Sequence, residues 1–153
     1  MEELALKCEP KINLTMATKN KKVAKSIPEF DYKKIKTFED ACKKVNADPK
    51  KLPDVSGILQ EFAKPIIAAY KLMIIYKAIN NGWKPDWSNW NQYKYYPWFE
   101  VLSSGFGFSD TTYNYANTYT SVGSRLCTDT SEKARYVAKQ FESEYVEYFL
   151  YSE

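Results

Sequence analysis

Between Gln60 and Asn80 the chain is apolar on nearly every side of a would-be helix. Ile66, Ala69, Tyr70, Met73, Ile74 and Ala78 repeat at helical spacing, with Lys77 among them. Ile67, Leu72, Ile75, Tyr76 and Ile79 widen that stripe. A helix with so broad an apolar surface belongs in the middle of a fold, covered by more than one neighbour. Pro65 leaves two readings of its start, since proline suits a first turn and bends an interior. Either a short turn covers 57–63 and the helix begins at Lys64, or one helix bends there. Asn80, Asn81 and Gly82 supply residues that tolerate the left-handed backbone on which helices end. Lys71 and Lys77 interrupt the run, and nothing in the chain approaches the apolar stretch of about 18 residues that a membrane span needs.

The partners of this helix are legible on both sides. A short helix is expected to begin at Thr37, with Asp40 three residues on, where an acid can meet the free amides of the first turn. Phe38, Ala41, Cys42 and Val45 form its apolar face, so Cys42 reads as core. A last helix is expected over 130–149, capped by Asp129 or Ser131, with Ala134, Val137, Ala138, Phe141, Tyr145, Tyr148 and Phe149 buried. Between them, 83–99 reads as irregular chain, and 101–127 as short strands and turns. Phe106 and Phe108 alternate with glycines there, and Val122, Ser124 and Leu126 alternate with Gly123, Arg125 and Cys127. The expected fold class is α+β: about three helices packed with a small antiparallel sheet and a long aromatic-rich irregular segment. A basic arm is expected at 1–34, followed by one globular domain over 35–153. Phe30, Tyr32 and Ile35 are the residues by which the arm would touch the core.

Of 25 aromatic residues, 13 lie between residues 81 and 119. Irregular chain needs large anchors, which is one explanation. The other is a binding surface, because Tyr and Trp make large, rigid, amphipathic contacts. The residues marked for such a surface are Trp83, Asp86, Trp87, Trp90, Tyr93, Tyr95 and Arg125. Arg125 is one of two arginines, and its planar fork suits a carboxylate or a phosphate. An internal ion pair with Asp86, Glu100 or Asp110 is its plainer role. Charge is unevenly divided: residues 1–80 carry 16 lysines against 10 acids, whereas 81–153 carry 6 basic residues against 9 acids. Lys19, Lys21, Lys22, Lys25, Lys33, Lys34 and Lys36 are therefore candidate nucleic-acid contacts, with the aromatics as stacking platforms.

The chain has no histidine, which removes the commonest general base near neutral pH and the commonest metal ligand. Mechanisms built on Ser-His-Asp or Cys-His are excluded. Cys8, Cys42 and Cys127 are odd in number and widely spaced, matching neither a zinc site nor a disulfide framework. With no signal-peptide pattern at the first residues, a reducing, cytoplasmic setting is the expectation. No cofactor or metal is expected. Gly105-Phe106-Gly107-Phe108 lacks the spacing and lysine of a phosphate loop.

Several segments together resemble an uncharacterised protein family of gut Bacteroidales genomes and their phages or mobile elements. They are Lys36-Thr37-Phe38-Glu39-Asp40-Ala41-Cys42, Gly82-Trp83-Lys84-Pro85-Asp86-Trp87-Ser88-Asn89, and Tyr93-Lys94-Tyr95-Tyr96-Pro97-Trp98-Phe99. Gly105-Phe106-Gly107-Phe108 and Val122-Gly123-Ser124-Arg125-Leu126-Cys127 complete the set. The resemblance spans Ile35 to Leu150, implies a bacterial or phage-related setting, and carries no activity. The function expected from the residues is a non-catalytic interaction or structural protein with an aromatic-rich surface. The alternatives are single-stranded nucleic-acid binding and an uncharacterised enzyme or carbohydrate-binding module. Aromatics at 136, 141, 145, 148, 149 and 151 exceed what one helix face needs, so a protein partner or homo-oligomer is also expected, but no membrane partner.

Overall fold

A computed structural model describes residues 30–103, 105–115, 123 and 125–150. The fold is α+β. A short 3₁₀ turn at Tyr32–Lys34 precedes helix α1 (Phe38–Val45) and helix α2 (Gln60–Asn80). A hairpin of β1 (Lys94–Leu102) and β2 (Gly105–Asn114) follows, then helices α3 (Ser131–Gln140) and α4 (Glu142–Phe149). The arm lysines Lys19, Lys21, Lys22 and Lys25, Cys8, and the expected alternation at Val122 and Ser124 lie outside the described residues.

Local signals set the ends of α1 and α2. Thr37 accepts from the Asp40 amide at 3.1 Å, while the Asp40 carboxylate accepts from the amides of Lys36 and Thr37. Those backbone donors hold the Asp40 carboxyl below its usual range. Asn46 ends α1 and Asn81 ends α2, both in left-handed backbone, and Gly82 continues the turn at φ 93°. Helix α2 runs unbroken from Gln60 with Pro65 inside it, which decides between the two readings of its start.

Helix α2 packs on α1 along one side and on α4 along another. Its buried side chains are Ala63, Ala68, Leu72, Ile75, Tyr76, Ala78, Ile79 and Asn80. The stripe drawn from sequence through Ile66 and Met73 is out of phase with this face, for both residues are exposed. The helix is apolar nearly all round, so its own sequence gives no direction to the core. Phe38, Ala41 and Cys42 of α1 and Val137, Phe141 and Tyr145 of the C-terminal helices close the core around it, with Ile35 and Leu126. Phe30 and Tyr32 pack against that cluster. At its centre the hydroxyls of Tyr76 and Tyr145 meet at 2.6 Å, both closed to solvent.

The sheet corrects three expectations. Strand β1 begins at Lys94, inside the segment read as irregular, and holds a buried Pro97. Each strand of a two-stranded sheet has one unpaired side, which is where proline is tolerated. The register slips by one residue between Trp98 and Phe99, leaving Ser109 as the extra residue of a bulge. Second, Arg125 and Leu126 lie in a turn and bend rather than a strand. Among the described residues of this segment, Thr128 alone joins the sheet, through amide and carbonyl bonds of 2.8 and 2.9 Å with Tyr95. Third, the expected last helix is two. Phe141, at φ −122° and ψ 35°, breaks it, and the cap is Thr130 rather than Asp129 or Ser131. Asp129 instead pairs with Lys133 at 2.7 Å.

Phe99 links the hairpin to α4: its ring lies 4.4 Å from Tyr145, 5.0 Å from Phe106 and 6.0 Å from Phe149, centre to centre. Arg135 of α3 pairs with Asp110 of β2 at 3.0 Å. Tyr145→Phe leaves the Tyr76 hydroxyl buried without its partner, and is expected to cost about 1–3 kcal/mol. Urea unfolding checks this: the midpoint should fall with the slope unchanged, because no additional surface opens.

Candidate functional site

The C-terminal end of α2, the loop that follows it and the end of α1 enclose a cleft of about 950 Å³. Its apolar lining comes from Val45, Met73, Ile74 and Pro85. Trp83 and Trp87 line it as well, both half-buried. Lys44, Lys77, Lys84 and Arg125 converge on it, and no carboxylate lines it among the described residues.

Each cation reaches the cleft for a local reason. Lys44 and Lys77 stand in the last turns of α1 and α2, where a positive charge also opposes the negative end of the helix dipole. Lys84 follows the left-handed turn at Asn81 and Gly82. Arg125 is carried there by Cys127 and Thr128. Asn80, 7 % exposed, donates its Nδ2 to the Cys127 carbonyl at 2.8 Å, and Thr128 is clasped to Tyr95. The expected internal pair of Arg125 with Asp86, Glu100 or Asp110 does not form. Asp86 turns onto the Ser88 hydroxyl and amide, which hold its carboxyl below the usual range, and Asp110 is taken by Arg135. Lys77, Lys84 and Arg125 have no ion pair and no aromatic ring against them among the described residues. Lys44 lies 4.3 Å from the Phe30 ring centre.

Lys94 adds a hidden charge behind this wall. It opens β1 with no exposed surface, donates to the Asn89 carbonyl at 2.9 Å, and stands 5.5 Å from the Trp87 ring centre. No carboxylate reaches ion-pair distance of it among the described residues. Two polar atoms of the cleft residues are likewise buried without a partner: Asn80 Oδ1 and the Trp87 indole nitrogen Nε1.

The residues marked in the sequence therefore divide. Trp83, Trp87 and Arg125 meet in the cleft, with Asp86 exposed on the adjoining loop. Trp90, 71 % exposed, projects from the turn that the Gln92 side chain closes onto the Asp86 amide at 2.6 Å. Tyr93 and Tyr95 belong to a separate cluster with Tyr113 and Tyr115, at ring separations of 4.9 to 6.0 Å. Hydrogen bonding to Tyr93 pushes the Tyr115 phenol up to about 12. Lys33, Lys34 and Lys36 are exposed at the start of the fold and line no part of the tryptophan cleft. Tyr136 is turned inward, its hydroxyl bonded to the carbonyls of Lys33 and Ile35. The sequence reading missed Lys44, Lys84, Asn80 and Lys94. It placed Lys77 in the apolar stripe, and that breach was the one available signal.

The described thiols are poor nucleophiles. Burial pushes the Cys127 thiol up to about 12 against the opposing charge of Lys94, and burial also raises Cys42. Among the described residues no three of His, Cys, Asp and Glu gather to hold a metal ion, and no helix is long and apolar enough to cross a membrane.

Two measurements follow from these buried groups. In a Cys8→Ser protein, iodoacetamide at pH 8 should leave Cys42 and Cys127 unlabelled until denaturant is added. An unfolded thiol ionises from its ordinary 9.0, whereas the folded Cys127 holds its proton to about 12. Its contribution is thus full below pH 9.0 and is lost as pH rises toward 12, a slope that Cys127→Ala should reduce. Lys94→Met keeps the packed stem and removes an uncompensated buried charge, so urea unfolding should show equal or greater stability. A loss above about 2 kcal/mol would instead make its bond to Asn89 the anchor of the loop. Comparison with protein-family models, curated proteins and solved structures finds no match to this chain, so the resemblance drawn from its motifs stands on those motifs alone.

Proposed function

We propose that this protein is a non-catalytic binding module that takes an anionic ligand into the cleft beside Trp83 and Trp87. The observation that carries this reading is the convergence of Lys44, Lys77, Lys84 and Arg125 on one concave, partly apolar surface with no lining carboxylate among the described residues. A concave wall of low polarity strengthens the field of such charges, and an anion is the ligand that field selects. Dipole compensation accounts for Lys44 and Lys77 one at a time. It does not account for Lys84 and Arg125 joining them. The absent histidine and the buried, protonated thiols supply no catalytic group beside the charges.

Tryptophan fluorescence gives the test, since Trp83 and Trp87 line the site. Titration with inorganic tripolyphosphate should change the emission saturably, and raising the salt should weaken the binding. Lys77→Glu combined with Arg125→Glu should weaken it at least about tenfold, equivalent to about 1.4 kcal/mol. No saturable change at millimolar tripolyphosphate and low salt overturns the reading.

A further inference from the structure

We infer that the ligand of this cleft is a nucleoside phosphate, either free or as one unit of a single strand, with its base against Trp83 and its phosphate among Lys77, Lys84 and Arg125. The inference rests on the anion-binding reading above and goes beyond it by requiring a ring. Trp83 lines the cleft half-buried, and no other ring or cation packs on it among the described residues. Trp90 projects into solvent away from the cleft lining, and the aromatic clusters of the described residues are already engaged. Tyr93, Tyr95, Tyr113 and Tyr115 contact one another, Phe99, Phe106, Tyr145 and Phe149 form a second set, and Trp87 lies against Lys94. An unpartnered indole beside unpaired cations is the pairing that nucleotides use: stacking for the base, positive charge for the phosphate.

The buried polar atoms sharpen the class. Trp87 Nε1 is a donor and Asn80 Oδ1 an acceptor, and each is buried without a partner. Such groups cost stability until something pairs with them. A nucleobase edge carries both acceptors and donors, and so matches either kind of group. Inorganic phosphate at neutral pH offers mainly acceptors, and a hydrocarbon ring offers neither. A sugar carries many hydroxyl donors and so calls for acceptors around it. The four cations of this cleft are all donors, and its side-chain acceptors are the amides of Asn80 and Asn81. The volume of about 950 Å³ accommodates a base, a ribose and phosphate at the upper end of small-molecule sites.

The test compares four probes on the intact chain by Trp fluorescence and calorimetry: ATP, inorganic tripolyphosphate, an oligothymidylate of about twelve units, and a sulfated disaccharide. ATP or the oligonucleotide should bind at least about tenfold tighter than tripolyphosphate, the margin that one stacked base supplies. Preference for ATP identifies a free nucleotide, and preference for the oligonucleotide a strand. Trp83→Ala should erase the margin while leaving tripolyphosphate binding in place, and Trp83→Phe should restore part of it. Far-ultraviolet circular dichroism of the Trp83→Phe protein guards against a folding defect. Tripolyphosphate binding as tightly as ATP and the oligonucleotide overturns this inference and leaves the anion site standing. Tighter binding of the sulfated sugar also overturns it. Failure of all four probes removes the anion site with it.

Discussion

A helix that is apolar around most of its circumference cannot be buried by one neighbour, and the rest of this structure is a response to that requirement. Helix α1 covers one side of α2 and α4 another. The hairpin rests on α3, and Phe99 carries it onto Tyr145 and the core cluster around α2. The cost of such enclosure is that any polar group on the buried faces must find a partner inside. Tyr76 finds the Tyr145 hydroxyl. Asn80, one turn beyond it on the same helix, finds the Cys127 carbonyl and thereby draws the 125–128 segment to the end of α2. Arg125 is brought to the cleft by a hydrogen bond whose first role is to satisfy a buried amide.

Lys94 sets the opposite problem. A buried ammonium with one carbonyl acceptor and a nearby indole is far from the hydration it had in the unfolded chain. Packing alone does not explain it, because methionine would fill the same space without the charge. The cation does add to the field behind Trp87, on the side of the fold where the other unpaired cations gather. Asp86 feels that field, for Lys94 helps to hold its carboxyl low. The end of α2 therefore concentrates positive charge both at the surface and below it.

Features encoded by a few adjacent residues could be read from sequence, and features that depend on distant partners could not. The Asp40 carboxylate at the first-turn amides of α1, the left-handed Asn81 that ends α2, and the core position of Cys42 each follow from local chemistry, and the structure has all of them. The phase of α2 was not local: with Ile66 and Met73 as apolar as Leu72 and Ile75, only the positions of α1 and α4 decide which side is buried. The break at Phe141 was equally hidden, since the apolar spacing continues through it from Val137 to Tyr145. Strand β1 was masked by Pro97 and by a density of tryptophan and tyrosine that resembles irregular chain. Half of the candidate site was legible, in Trp83, Trp87 and Arg125. Lys44 and Lys84 were not, because one lysine among many in a lysine-rich chain carries no mark until folding shows which lack an acid beside them.

Aromatic density was therefore an imprecise guide to function, and partnering is a better one. The hairpin tyrosines satisfy one another edge to face, as Tyr93 does with Tyr113 at 4.9 Å, and the phenylalanines around Tyr145 join the hairpin to α4. Both sets explain their own presence by packing, even where their outer edges are exposed. Trp83 does not. It stands at the end of the central helix, lines the cleft, and faces charges that no acid among the described residues neutralises. Burial that is incomplete, charge that is uncompensated and polar atoms that lack partners are each tolerable alone in a folded protein. The first two coincide on the surface of one cleft, which structural need does not supply, and a bound anion with a ring would relieve both.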